Sequence, residues 1–170
     1  MKKCFTILAL YGLAALIAPE AAGKQLPLKG EVFTIEKHTA FLILPEKNVA
    51  GQPVPWVWYA PTLRGLPGKE ETWMFERFLK AGIAIAGVDV GESFGSPKGR
   101  KIYSALHKYL VDKRGMAEQA CLLARSRGGL MLYCWAAENP DKVRCITGIY
   151  PVCNIASYPG IRRACGAYGL

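Results

Sequence analysis

Ser126 stands between Arg125 and Arg127 in the stretch LLARSRGGLMLYCW, residues 122 to 135, where an apolar run gives way to a Gly-Gly pair and then to a helix-like pattern. A serine at the carboxyl end of a buried strand, immediately before a helix, sits where parallel sheets collect their ligands. The chemistry open to it there is nucleophilic: its Oγ attacks an electrophilic carbon. The amides at the start of the following helix, Arg127 N–H among them, then face the developing oxyanion. A turn that presents a serine this way is so sharp that residues two before and two after must be small, and Ala124 and Gly128 fill those places.

A serine nucleophile needs a base and a group that orients the base. The chain has 2 histidines, His38 and His107, both upstream of Ser126. His38 begins a strand-like stretch and His107 falls inside a helical pattern, so both read as surface or structural residues. Glu138 and Asp141 follow Ser126 at the far end of the next helix, about 18 Å or more away at a rise of 1.5 Å per residue. Asn154 stands beyond the following strand as an amide, not a carboxylate. Asp89, Glu92 and Ser93 in VDVGESFG read as residues that shape a loop. No C-x-x-C pair occurs, so zinc-site spacing is missing and no metal is expected. Cys121, Cys134 and Cys145 sit in apolar patterns and read as buried free thiols, whereas Cys153 with Cys165 is the expected disulfide.

These residues need elements to hold them. EVFTIE (31 to 36) and HTAFLILP (38 to 45) read as a hairpin, KNVAGQPVP (47 to 55) as a loop and WVWYA (56 to 60) as a strand. From Lys69 to Ala81 the apolar residues fall largely on one helical face, Glu70 and Glu71 favour the positive end and Gly82 closes it. IAIAGVDV (83 to 90) and ACLLA (120 to 124) are continuous apolar runs of the kind buried on both faces of a parallel sheet. Helical spacing marks 98 to 114 and 127 to 138, and VRCITGIYPV (143 to 152) reads as one more strand. The expectation is an α/β fold, a mostly parallel sheet flanked by helices with strand order 1-2-4-3-5-6 and strand five ending at Ser126. Trp56, Trp58 and Trp73 are expected in its core. Residues 153 to 170 show neither a strand period nor a helix, and the tail from 155 is expected to pack poorly.

Lys2 and Lys3 precede an apolar run, Cys4 to Ala18, followed by the small residues Ala21, Ala22 and Gly23. This reads as a signal peptide, residues 1 to 23, cleaved after Gly23; the run is about 15 residues, short of the roughly 20 that span a bilayer. The expectation is therefore a secreted or periplasmic protein with no stable membrane span and one domain, residues 24 to 170. The net charge is +9. Its dispersal in pieces such as SPKGRK (96 to 101), with no dense stripe of interleaved aromatics, argues against a nucleic-acid partner and for a solvated surface.

Four stretches carry a family resemblance: PWVWYAPTL (55 to 63), WMFERFLKAGIAIAGVDVGESFGSP (73 to 97), SRGGLMLYCWAAENPDKV (126 to 143) and YPVCN (150 to 154). Together they resemble the α/β-hydrolase family, in its exported, esterase-like members akin to prolyl oligopeptidase and dienelactone hydrolase. The resemblance covers roughly residues 30 to 158 in the order of the family's strands one to six. It implies that Ser126 is the nucleophile and Arg127 an oxyanion donor. The loop after WVWYA would supply the second donor; Pro61 has no N–H, so Thr62 or Leu63 serves. It implies no cofactor, and a small-molecule or carbohydrate ester as substrate; the oligomeric state is left open. The family places its acid and its histidine after later strands, in the order Ser, acid, His. With neither in place, the chain is expected to be the amino-terminal part of such a hydrolase, shortened after strand six and crippled in activity. The alternatives are a non-catalytic fragment or binding module and, from charge alone, a basic adhesion or nucleic-acid protein.

Overall fold

The computed structural model of the protein describes residues 23–47 and 51–170, so the signal-peptide reading lies outside the described residues. Six strands, β1 (Glu31–Ile35), β2 (His38–Ile43), β3 (Trp56–Ala60), β4 (Ala84–Val88), β5 (Ala120–Arg125) and β6 (Val143–Ile149), form one sheet in the order β1-β2-β4-β3-β5-β6. This is the expected order. β1 and β2 pair antiparallel, β2 runs antiparallel to β4, and β4, β3, β5 and β6 are mutually parallel. The hairpin turns on Glu36 and Lys37, both at positive φ, 48° and 68°, the twist that lets two strands join through two residues.

The parallel centre is buried on both faces, which is why β3 and β4 are apolar without alternation. On one face α2 (Pro97–Arg114) and α3 (Gly128–Glu138) pack Tyr103, Leu106, Leu132 and Trp135 against Trp56 and Trp58. On the other, α1 (Thr72–Lys80) sets Phe75 against Phe41, Tyr59 and Ile85, joined by Phe78 and Leu79. Pro97 opens α2, where a missing N–H costs nothing, and Gly115 closes it at φ 67°.

Trp73 departs from expectation. It is 67% exposed, with the Arg77 guanidinium 5.1 Å from its ring centroid, whereas Trp56 and Trp58 are buried. The buried face of α1 is set by Phe75, Phe78 and Leu79 at i, i+3 and i+4, and a residue two before Phe75 points the other way. The tail departs as well. α4 (Ile161–Tyr168) forms and buries Ala164 against Phe94 and Leu130, and the Tyr168 hydroxyl donates to the Phe94 carbonyl at 3.1 Å. Glycines at 160, 166 and 169 obscure this helix in the sequence, and its docking on the loop after β4 stabilises it.

The expected bond between Cys153 and Cys165 is not formed; both thiols are free. Cys153 Sγ–H donates to the Pro151 carbonyl, and Cys165, on α4, donates to Ile161. Cys145 is exposed, not buried as expected, because β6 is the edge strand and its central residues lack cover on either face.

Candidate active site

Ser126 follows the last residue of β5 and is separated from α3 by Arg127 alone. Its φ is +50°, the left-handed region that costs a side chain with a Cβ and that accumulates at functional turns. Backbone bonds hold it there. The Ser126 amide donates to the Ile149 carbonyl at 3.0 Å, and its carbonyl accepts from Gly129 at 3.0 Å and Val152 at 2.8 Å. The two glycines allow this closeness. A Cβ on Gly128 would collide with the Ala60 carbonyl and one on Gly129 with the Val152 carbonyl, so each must lack a side chain. The need for a small residue at 128 is thus met by contact with the end of β3, where the Thr62 loop begins.

The Arg127 amide has no hydrogen-bond acceptor among the described residues, as an amide offered to an oxyanion requires. Thr62 is buried at 2% exposure, with its Oγ1–H donating to the Tyr59 carbonyl at 3.2 Å. Lys24 organises this loop: its ammonium donates to the carbonyls of Leu66 at 2.8 Å, Leu63 at 3.3 Å and Thr62 at 3.4 Å. Burial lowers the Lys24 pKa, with Asp89 opposing. In a planar trans peptide the C=O and N–H point in opposite directions, so fixing the Thr62 carbonyl toward Lys24 turns the Leu63 amide away from it.

Both flanking arginines are paired. The Arg125 guanidinium meets Glu71, which is buried at 3% exposure and also accepts from Tyr59 Oη–H at 2.9 Å and the Gly68 amide at 2.7 Å. Arg125 also donates to Tyr150 Oη at 3.0 Å. Burial, reinforced by Glu71, raises the Tyr59 pKa. Arg127 pairs with Glu92 and lies 5.5 Å from the ring centroid of Tyr158. Sequence reasoning read Glu71 as a helix-end charge and Glu92 as a loop residue, and so missed both. The available signal was Arg125, a cation beside a buried strand that has to find an acid.

An open trough runs along the carboxyl edge of the sheet. A cavity of about 520 Å³ lies between His38, Thr39, Asp89, Glu92, Ser93 and Lys98, and one of about 620 Å³ among Lys24, Thr39, Arg64 and Asp89 shares its wall. Asp89 accepts from the Gly91 amide at 2.8 Å, the loop-shaping role expected of it. Asn154 likewise accepts from the Ala156 amide at 2.9 Å.

Neither histidine meets Ser126. His38 is at the correct edge of the sheet, its Nδ1–H donating to the Asp89 carbonyl at 2.9 Å, but β4 and β3 intervene before β5. Three strand spacings amount to about 14 Å. His107 donates from Nε2–H to the Glu118 carbonyl at 2.7 Å, beside the opposite end of β5, so roughly 20 Å of strand separates it from Ser126. Glu138 pairs with Arg100 at 2.8 Å and Asp141 is exposed at the far end of α3. Among the described residues there is no group of three or more metal ligands.

Comparison with known proteins gives the class. No family model matches the sequence, and no curated protein does. Solved structures do match. Est1E from Butyrivibrio proteoclasticus aligns with 17% identity and a TM-score of 0.57 over 72% of this chain and 50% of its own. An S-formylglutathione hydrolase from Agrobacterium tumefaciens aligns with 16% identity and a TM-score of 0.64 over 82% and 64%. A thermostable esterase aligns with 12% identity and a TM-score of 0.58 over 80% and 43%. The sheet order, the crossovers and these matches define an α/β-hydrolase fold, present here as a six-stranded part. The chain spans half of the first of these proteins and less than two thirds of the others.

Proposed function

We propose that this chain is the nucleophile-bearing part of an exported serine hydrolase acting on carboxylic esters, of a small molecule or a carbohydrate, through Ser126. The amides of Arg127 and Thr62 serve as oxyanion donors, with Leu63 as the alternative to Thr62. The observation that supports the reading is Ser126 at φ +50° on a strand-to-helix turn, next to an amide with no acceptor among the described residues. In the reaction, Ser126 Oγ attacks the acyl carbon, its proton goes to a base, and the carbonyl oxygen becomes an oxyanion facing those amides. The base is what the chain as described does not bring to the serine, so acylation proceeds without an activated nucleophile. Esterase and hydrolase neighbours favour the ester substrate, and the charged amino-terminal segment favours a secreted or periplasmic location.

Fluorophosphonate labelling tests the reading. Mass spectrometry of the labelled chain should find a slow adduct on Ser126, absent in Ser126→Ala, and imidazole added as an external base should speed its formation. A folded chain that labels elsewhere, or not at all with imidazole present, supports the second reading, a non-catalytic binding module. That reading is favoured by the separation of both histidines from Ser126. Turnover of p-nitrophenyl acetate should be feeble and little changed by Ser126→Ala, because losing the base leaves only about 10³ to 10⁴-fold over water. Robust turnover abolished by Ser126→Ala would mean that a base does reach the serine.

A further inference from the structure

Cys121 and Cys145 are register partners on the parallel strands β5 and β6. Regular pairing onward from Ala120 and Val143 would set Cys121 opposite Arg144 and turn Cys145 to the other face of the sheet. A one-residue irregularity between Ala120 and Cys121 prevents this: the register steps past Arg144, and Cys145 arrives beside Cys121. Neighbouring strands lie about 4.8 Å apart, within the roughly 4.4 to 6.8 Å between Cα atoms that a disulfide spans.

The pair is accessible from one side. Cys121 is half-buried next to the cluster of Leu123, Tyr59 and Phe75, whereas Cys145 is exposed on the edge strand. Burial first, and the neighbouring Cys145 thiol second, push the Cys121 thiol up to about 11, with Arg144 opposing. Cys145 is therefore the thiol a reagent meets first and Cys121 the one that follows. Cys134 has no such neighbour among the described residues; it is half-buried on α3, where it packs against Gly95.

We propose that Cys121 and Cys145 form a modification site, a cross-strand dithiol that closes to a disulfide by exchange with a small-molecule disulfide. Cys145 Sγ, its proton lost to water, attacks one sulfur of the reagent; the reagent's S–S bond breaks and half of it leaves as a thiolate. Cys121 Sγ, deprotonated in turn, attacks Cys145 Sγ and expels the second half. Two protein thiols are oxidised to one disulfide and one reagent disulfide is reduced to two thiols. The bond would tie the uncovered edge strand to β5, its neighbour in the sheet. This inference is independent of any role for Ser126.

The full chain is equilibrated under native conditions with reduced and oxidised glutathione, alkylated, digested and mapped by mass spectrometry. The thiol count should fall by two, the peptides carrying Cys121 and Cys145 should be joined, and any other pairing should stay below about a tenth of that yield. Cys145→Ser should abolish the loss, whereas Cys121→Ser should abolish the cross-link and leave glutathione attached to Cys145. A native chain that keeps every thiol free, that stops with glutathione attached to Cys145, or that joins Cys153 to Cys165 instead overturns the proposal.

Discussion

His107 is enclosed by three indoles, with ring centroids of Trp135, Trp56 and Trp58 at 5.6, 6.1 and 6.3 Å. Burial lowers its pKa, and the bond to the Glu118 carbonyl opposes this only in part. In the unfolded chain the same imidazole takes up a proton near pH 6.5. The unfolded state therefore binds more protons as the pH drops, so the stability this site contributes is complete above about pH 6.5 and is lost as the pH falls through the depressed native value. The urea midpoint should decline between about pH 7 and pH 5, and His107→Gln should flatten that decline; an unchanged slope in the variant would contradict the assignment. Tyr103, buried beneath Trp58, has a hydroxyl with no partner among the described residues, and burial raises its pKa. Tyr103→Phe removes an unsatisfied polar group without changing the ring, so thermal melting should show a gain of about 1 kcal/mol. A loss would mean that the hydroxyl is bonded in solution.

At the scale of elements, the Glu71 carboxylate joins the loop after β3 to the end of β5. It accepts from Gly68 and Tyr59 on one side and from Arg125, the residue before Ser126, on the other. Arg125→Met leaves a buried carboxylate with its countercharge gone. The expected loss is about 2 to 3 kcal/mol, below that of a fully enclosed pair because the Arg125 side chain keeps 25% exposure. Adding Glu71→Gln to Arg125→Met should recover part of it, since no uncompensated charge then remains; equal or greater loss in the double variant, read from urea midpoints, would refute the account. Local features of this region were legible in the sequence. Small residues at 124 and 128 around Ser126 imply a sharp turn, and the unalternating runs at 83 to 90 and 120 to 124 imply strands covered on both faces, where the structure has Ala84–Val88 and Ala120–Arg125. Partners far apart in sequence were not legible. Glu71 meets Arg125 across 54 positions, and the residue that turns Cys145 toward Cys121 is a break in register that no periodicity announces. Trp73 was misread because hydrophobicity was taken as a proxy for facing inward, and α1 has only one inward face.

At the scale of the whole molecule, the sheet ends on one side in β1, whose hairpin is short and whose Glu31 pairs with Arg114 at 2.7 Å, and on the other in β6. β6 is the weaker boundary. Arg144 through Gly148 are all exposed, Ile146 at 56%, and among the described residues no strand lies beside the backbone N–H and C=O groups of its outer edge. Such an edge is a template for pairing with another copy. Two features oppose that: Arg144 on the strand itself and a net charge of +9, which makes copies repel one another. Repulsion between surface charges is screened over about 10 Å at 0.1 M salt, whereas strand pairing and apolar contact are not. Association should therefore increase as salt is raised from about 0.02 M to about 0.3 M, the opposite of what a complex held by charge would do. Sedimentation velocity at fixed protein concentration measures this. Ile146→Lys, which removes the exposed apolar residue and adds a charge to the edge, should keep the chain monomeric across the same range. If the variant associates as strongly as the parent, the contact lies elsewhere, and exposed Trp73 on α1 becomes the next position to change.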